Sequence, residues 1–279
     1  WTVLVDLYSR YWLAAKEGVE VSKEGTNTAN WNQPGHNRSS FQRVQQLFPT
    51  ARLARGSAKA TDFEVAAADL SQISYTGMDR QNHTLDHFVD STFTDAFLVL
   101  KDGVLVCEQY FNGMASHSHH LLNSVSKSFL GMLAGIVIHD GLLDPERTVA
   151  SYLPELGDSA LAQSRVQDAL DMSAAVRYSE NYDNAGDDFW HEAAVVGWRP
   201  QLVTPSSPRS LMDYAASLNV REHEDGEHFH YRTVLTNVVG MVVERAAGRP
   251  LQTLLQDRLW QPMGPEQDAT VVVDPTGFP

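Results

Sequence analysis

The sequence predicts an α+β fold in which an antiparallel sheet flanked by helices is interrupted by an all-helical domain. Three observations predict it. A β-hairpin pattern surrounds residue 100, a block of helical apolar spacings runs from about 165 to 260, and an apolar strand returns at 269–273. The chain has 279 residues, of which 43% are hydrophobic and 20% charged, enough apolar material for a large core.

The elements follow in order. Residues 1–25 begin with Trp1 and show no basic leader, no small-residue cleavage site and no link to the pattern downstream. Residues 27–61 mix turn residues with one short amphipathic run at 41–47 and read as an irregular arm. Residues 64–73 read as another helical turn or two. The first clear element is the hairpin. Strands 96–100 and 104–110 flank Lys101-Asp102-Gly103, where Gly supplies the positive φ of a tight turn. Cys107, the one cysteine, sits in this alternating stretch and reads as a buried thiol, and no intramolecular disulfide can form.

Residues 124–140 read as a helix with a serine near its start and Gly141 as its stop. Phe129, Leu130, Leu133, Ile136 and Val137 leave it little polar surface, so burial on most sides is expected. Helices follow at 165–172, 210–218, 233–247 and 251–260, the last two broken by Gly248-Arg249-Pro250. Between them, 176–207 reads as a long loop of the kind that serves as a lid or a disordered linker. The expected division is an N-terminal arm over 1–90, the first part of the α/β domain over 91–145, a helical domain over 146–265 and the start of the return over 266–279.

The formal net charge of −14 argues against nucleic acid and anionic membrane surfaces as partners. No run is long and apolar enough to span a membrane, and a single cysteine is compatible with a cytoplasmic home. His117, His119 and His120 lack the spaced carboxylates of a metal cluster and read as a solvated loop. No Gly-x-Ser-x-Gly elbow and no Gly-rich phosphate loop is present, so no cofactor is expected.

The chemistry concentrates at Ser124-Val125-Ser126-Lys127. Serine needs a base to become a nucleophile, and a desolvated lysine can be that base. Residues three apart share a helix face, so Ser124 and Lys127 meet without help from the rest of the fold. The helix start also offers N–H groups to a developing oxyanion. A Ser-x-x-Lys spacing is common by chance. This one gains weight because Lys127 is one of five lysines in the chain and stands at the head of its most apolar helix, where an unpaired charge is expensive.

Leu122-Asn123-Ser124-Val125-Ser126-Lys127-Ser128, followed by Gly141-Leu142-Leu143-Asp144-Pro145, resembles the serine β-lactamase and penicillin-binding-protein superfamily. Within it the chain is most similar to the 6-aminohexanoate-dimer (nylon-oligomer) hydrolases and the class C-like esterases. Pro34-Gly35-His36-Asn37-Arg38, residues 94–100, Tyr231 with Val243-Glu244-Arg245, and Asp268-Ala269-Thr270 through Thr276-Gly277-Phe278 extend the resemblance over about 31–279.

The resemblance implies a β-lactamase-like fold and a serine hydrolase acting on a small amide or ester through an acyl-enzyme. It places a proton-relaying tyrosine at Tyr231, in Tyr231-Arg232-Thr233, where Thr233 replaces the Asn of β-lactamases. It further implies that Tyr182 bonds the substrate amide and that Trp198 forms part of a lid. His228 and His230 flank Tyr231 and read as neutral surface groups. The family's third motif, a Lys-Thr-Gly or His-x-Gly triplet, does not follow Tyr231. By resemblance the closing C-terminal strands are therefore missing, so that this sequence reads either as a fragment or as a truncated relative, in which the sheet edge would be unpaired. Two alternatives stay open: a β-lactamase or D-amino-acid peptidase, and an inactive binding domain that keeps the fold. A homodimer is compatible with the sequence, which does not fix the oligomeric state.

Overall fold

The structure is a computed structural model that describes residues 25–279. The expectations for residues 1–24 lie outside the described residues. In chain order come helix α1 (Asn37–Ser40) and strands β1 (Thr50–Leu53), β2 (Glu64–Val65), β3 (Ser74–Thr76) and β4 (Asn82–Thr84). Helix α2 (Leu85–Ser91), strands β5 (Ala96–Lys101) and β6 (Val104–Tyr110), and helix α3 (Val125–His139) follow. Then come α4 (Val149–Tyr152), α5 (Val166–Leu170), α6 (Asp188–Val195), α7 (Leu211–Ser217), α8 (Thr233–Ala247), α9 (Leu251–Leu255) and strand β7 (Ala269–Val272). Residues 25–43 with 60–121 form one compact unit, and residues 44–59 with 122–279 form the other.

In the first unit, β5 and β6 make the expected hairpin, pairing from Ala96↔Tyr110 to Lys101↔Val104. Asp102 and Gly103 both have positive φ, 53° and 81°, as a two-residue turn matched to strand twist requires. Residues 64–73 are not the helical turns expected. Glu64 and Val65 pair parallel to β6, and the Ala66 and Ala68 N–H groups continue the ladder onto Leu105 and Val106. The open edge of β6 outweighs the helix preference of three consecutive alanines.

The arm also carries the β3–β4 pair and helix α2, which the sequence did not signal. Thr84 caps α2 by accepting the His87 N–H at 3.2 Å. Asp95 is buried and accepts from Arg38 at 2.7 Å and from His120 Nε2 at 3.2 Å. Burial works to raise its pKa, but the hydrogen bonds from His120 and Arg38 prevail and hold the carboxyl below its ordinary value.

In the second unit, α8 is the hub. Val234, Leu235, Val238, Val239, Met241, Val242 and Val243 are all buried, and α3, α4, α5, α6, α7 and α9 pack around it. Gly248, at φ 63°, ends it in the left-handed conformation that glycine adopts without strain. Helix α3 presents Leu130, Leu133, Ala134 and Val137 as one buried face. Met132 is exposed, so α3 is buried on one side and not on most sides.

The stretch 176–207 is not one long loop, because it contains α6 and a 3₁₀ turn at Pro200–Leu202. The acidic residues that read as loop are a helix start, with Asp187 at the cap position and Asp188 in the first turn, where carboxylates suit the helix dipole. Strand β7 pairs antiparallel with β1, from Thr50↔Val272 to Leu53↔Ala269, and draws residues 44–59 into this unit.

Leu133 is fully buried in the face that α3 turns toward α8. Leu133→Ala leaves a cavity there and is expected to cost about 2–5 kcal/mol in urea unfolding. Met132→Ala, one residue along on the exposed side, is expected to change stability by about 0.5 kcal/mol or less.

Candidate active site

The site is built at the start of α3. Asn123 has φ 46°, a left-handed conformation that asparagine tolerates better than most residues. The turn is closed by Val125 N–H to Leu122 O and Ser126 N–H to Asn123 O, each 3.1 Å. Ser124 therefore sits at the N-cap, with its hydroxyl free of capping duty. Lys127, one turn on, places Nζ 3.4 Å from Ser124 Oγ.

The third group arrives from 107 residues away. The Tyr231 hydroxyl donates to Ser124 Oγ at 2.8 Å, and Lys127 Nζ lies 5.4 Å from the Tyr231 ring centroid. All three side chains are half-buried.

Tyr231 is held from both sides in sequence. Before it, residues 221–230 run beside 172–176. Glu222 N–H donates to Ala175 O, Gly226 N–H to Ser173 O, and His230 N–H to Met172 O. Asp225 Oδ1 accepts from Ser164 Oγ and Ala175 N–H, both at 2.8 Å. Burial opposes its charge, yet these bonds and Arg221 keep the Asp225 carboxyl below its ordinary pKa. After Tyr231, the Arg232 guanidinium is fully buried and bonded to Glu222 and to Ala174 O.

Thr233 then opens α8, and its first-turn N–H finds a carboxylate. Glu180 Oε2 accepts the Thr233 N–H and Glu180 Oε1 accepts the Thr233 hydroxyl, both at 2.8 Å. This meets the need of a helix start for acceptors. It also settles where the Thr233 hydroxyl points: toward Glu180. Tyr182 joins the same carboxylate, donating to Glu180 Oε1 at 2.5 Å, while its ring packs edge-on against Phe189 at 5.0 Å. Tyr182 is thus linked to Tyr231 through Glu180 and Thr233. Trp198 is placed differently. It is half-buried against the helical core, with its ring 6.4 Å from that of Phe48.

Behind these groups lies Glu192 on α6, only 3% exposed. Tyr178 donates to its Oε2 at 2.5 Å and Asn237 Nδ2 to its Oε1 at 2.6 Å. Burial, with help from the nearby Glu180 charge, pushes its pKa up to about 7, although Tyr178, Asn237 and Lys127 pull the other way. The sequence reading missed Glu180, Glu192, Tyr178 and Asn237. The one available signal was a lone carboxylate, Glu192, within the apolar stretch Phe189 to Val195.

The arrangement can move a proton. Ser124 Oγ lies between an amine and a phenol, so its proton has a nearby acceptor and a leaving group has a nearby donor. Among the described residues no group of three or more His, Cys, Asp or Glu is placed to hold a metal. No described helix is long and apolar enough to cross a membrane.

Residues 82–274 match the family model described as Beta-lactamase. A 6-aminohexanoate-dimer hydrolase from Paenarthrobacter ureafaciens is 31% identical over 249 residues, which are 89% of this chain and 61% of that protein. The chain thus spans about three-fifths of that curated relative. In fold it is similar to a Bacillus anthracis protein provisionally named a 6-aminohexanoate-dimer hydrolase. That structure has a TM-score of 0.84 at 22% identity over 92% of this chain and 67% of that one. A Bacteroides dorei protein provisionally named a β-lactamase gives 0.50 at 17% identity over 64% and 49%. Identities this low speak for the α+β fold alone. The family match covers more than half of the chain and includes Ser124, Lys127 and Tyr231, and the chain belongs to the beta-lactamase family.

Proposed function

We propose that this protein is a serine hydrolase that opens an amide or ester bond through an acyl-enzyme on Ser124. The observation that carries the reading is the pair of contacts on Ser124 Oγ, 2.8 Å from the Tyr231 hydroxyl and 3.4 Å from Lys127 Nζ.

In this reading Ser124 gives its proton to the Lys127 amine as Oγ attacks the carbonyl carbon. The new C–O bond turns the carbonyl into an oxyanion, which the Ser124 backbone N–H helps to stabilise. The proton on Lys127 passes by way of Tyr231 to the leaving nitrogen or oxygen, and the C–N or C–O bond breaks. Water then attacks the acyl-enzyme, its proton returns through the same pair, and the carboxylic acid leaves.

The substrate class is a linear amide of the 6-aminohexanoate-oligomer kind or a small carboxylic ester. The named relative supports the first, and the plain Ser–Lys–Tyr chemistry supports both. Tyr182 is assigned the substrate amide, which it would meet by turning its hydroxyl from Glu180. Trp198 is assigned to a lid over the site. Rapid β-lactam turnover is not part of this reading. Thr233 stands where β-lactamases carry Asn, and its hydroxyl is already bound to Glu180.

Ser124→Ala is expected to take up no fluorophosphonate, as read by intact-protein mass, while the wild type gains one adduct. An adduct on the alanine variant would reject Ser124 as the nucleophile. Lys127→Ala and Tyr231→Phe, with unchanged circular dichroism, are each expected to slow small-ester turnover by about 10²–10⁴-fold. In the wild type, turnover of a chromogenic cephalosporin is expected to stay below that of a linear amide or ester. The reverse order would favour the β-lactamase reading.

A further inference from the structure

We propose that Glu192 is a positioning residue for the Ser124 site, locking the segment that carries Glu180 and Tyr182 onto α8. This rests on the acyl-enzyme reading above.

The geometry is a ladder with two rungs. One is Glu180 bonded to Thr233, and the other is Tyr178–Glu192–Asn237. Tyr178 precedes Glu180 by two residues, and Asn237 follows Thr233 by one helical turn, about 5–6 Å along the axis. Both rungs therefore join the same short segment to the same end of the same helix. Tyr231 lies two residues before the first rung. With both rungs in place, the start of α8 cannot rotate relative to residues 178–182 without breaking a bond.

Apolar packing alone would fill the place of Glu192 at lower cost, since a buried carboxylate loses its hydration and two donors offset only part of that loss. What a carboxylate adds is a charge that can come and go. The titratable or charged groups that face it are Tyr178 and Glu180 from the segment, Lys127 from α3 and Tyr214 from α7, while α8 contributes the neutral Asn237. With a pKa of about 7, Glu192 changes charge across the neutral range. When protonated it keeps its rung, because the Tyr178 oxygen can accept where its hydroxyl had donated. When ionised it adds a negative charge that interacts with Lys127, the base in the reading above. The position is thus held in both states, and the ease of activating Ser124 differs between them.

The test is the rate of fluorophosphonate adduct formation at Ser124 across the neutral range. The wild-type profile is expected to show an inflection near 7. Glu192→Gln, which keeps the shape, is expected to lose it. Tyr178→Phe removes a bond that favours the carboxylate and is expected to move the inflection to higher pH. This second variant carries the test should Glu192→Gln fail to fold. A merely structural role would lower the rate evenly at every pH.

Stability gives a readout without activity. Between the ordinary value of 4.5 and about 7, folded Glu192 holds a proton that the unfolded chain has lost. Its contribution is full at the acid end of that window and lost as pH rises through it. The Tm of Glu192→Gln is therefore expected to gain on that of the wild type over the same window. A labelled wild type whose inflection survives unchanged in Glu192→Gln, or stays in place in Tyr178→Phe, overturns this inference alone. A folded wild type that takes no adduct overturns the acyl-enzyme reading and this inference with it.

Discussion

The start of α8 is where the demands on this structure meet. The helix is buried along most of its length, so its first N–H groups cannot rely on water and must find acceptors in the protein. Glu180 supplies one, reaching Thr233 from 53 residues upstream. The residue before Thr233 carries a guanidinium with no exposure, which needs Glu222 for the same reason. These two carboxylates come from two different segments, 176–182 and 221–232, and both must close on the same helix end. Tyr231 lies in the second of them, next to Arg232. Its hydroxyl meets Ser124 Oγ because the chain around it has been fixed by groups that do not touch Ser124.

The sequence made half of this visible. The Ser124–Lys127 pair needs nothing but helical spacing, and α3 formed with its start and stop within a residue of where Ser124 and Gly141 put them. Helix α8 runs over 233–247 as its apolar spacing and Gly248 indicate. The β5–β6 hairpin followed from Asp102-Gly103. All three are local features, and local sequence carries them.

What stayed hidden depends on partners far along the chain. Strand β1 exists because β7 lies beside it, and Arg52 meets Asp268 across 216 residues. Strand β2 is short, exposed and followed by three alanines, and only the neighbouring edge of β6 makes it a strand. Helix α6 was masked by acidic residues that serve equally in turns and at helix starts, a choice decided when Asp187 and Asp188 accepted from Ser179 and Asn181. Glu192 was unremarked for a related reason. In sequence it is one charge among apolar neighbours, and its meaning comes from Tyr178 and Asn237 on other elements.

Stability and geometry are supplied here by different groups. The apolar core around α8 would hold the unit together even with a polar tie cut, since each tie contributes only about 0.5–3 kcal/mol. The site is far less tolerant. Tyr231 projects its hydroxyl to the end of a long side chain, so a small turn of the helix start becomes a shift of about 1 Å at Ser124. A displacement of that size can cost about 10²-fold in rate. Ties that matter little to whether the chain folds can therefore decide whether Ser124, Lys127 and Tyr231 stay in contact. That is the physical reason to find carboxylates where apolar side chains would serve the core better. The core fixes that there is a helix at 233, and Glu180, Glu222 and Glu192 fix which way its first residue faces.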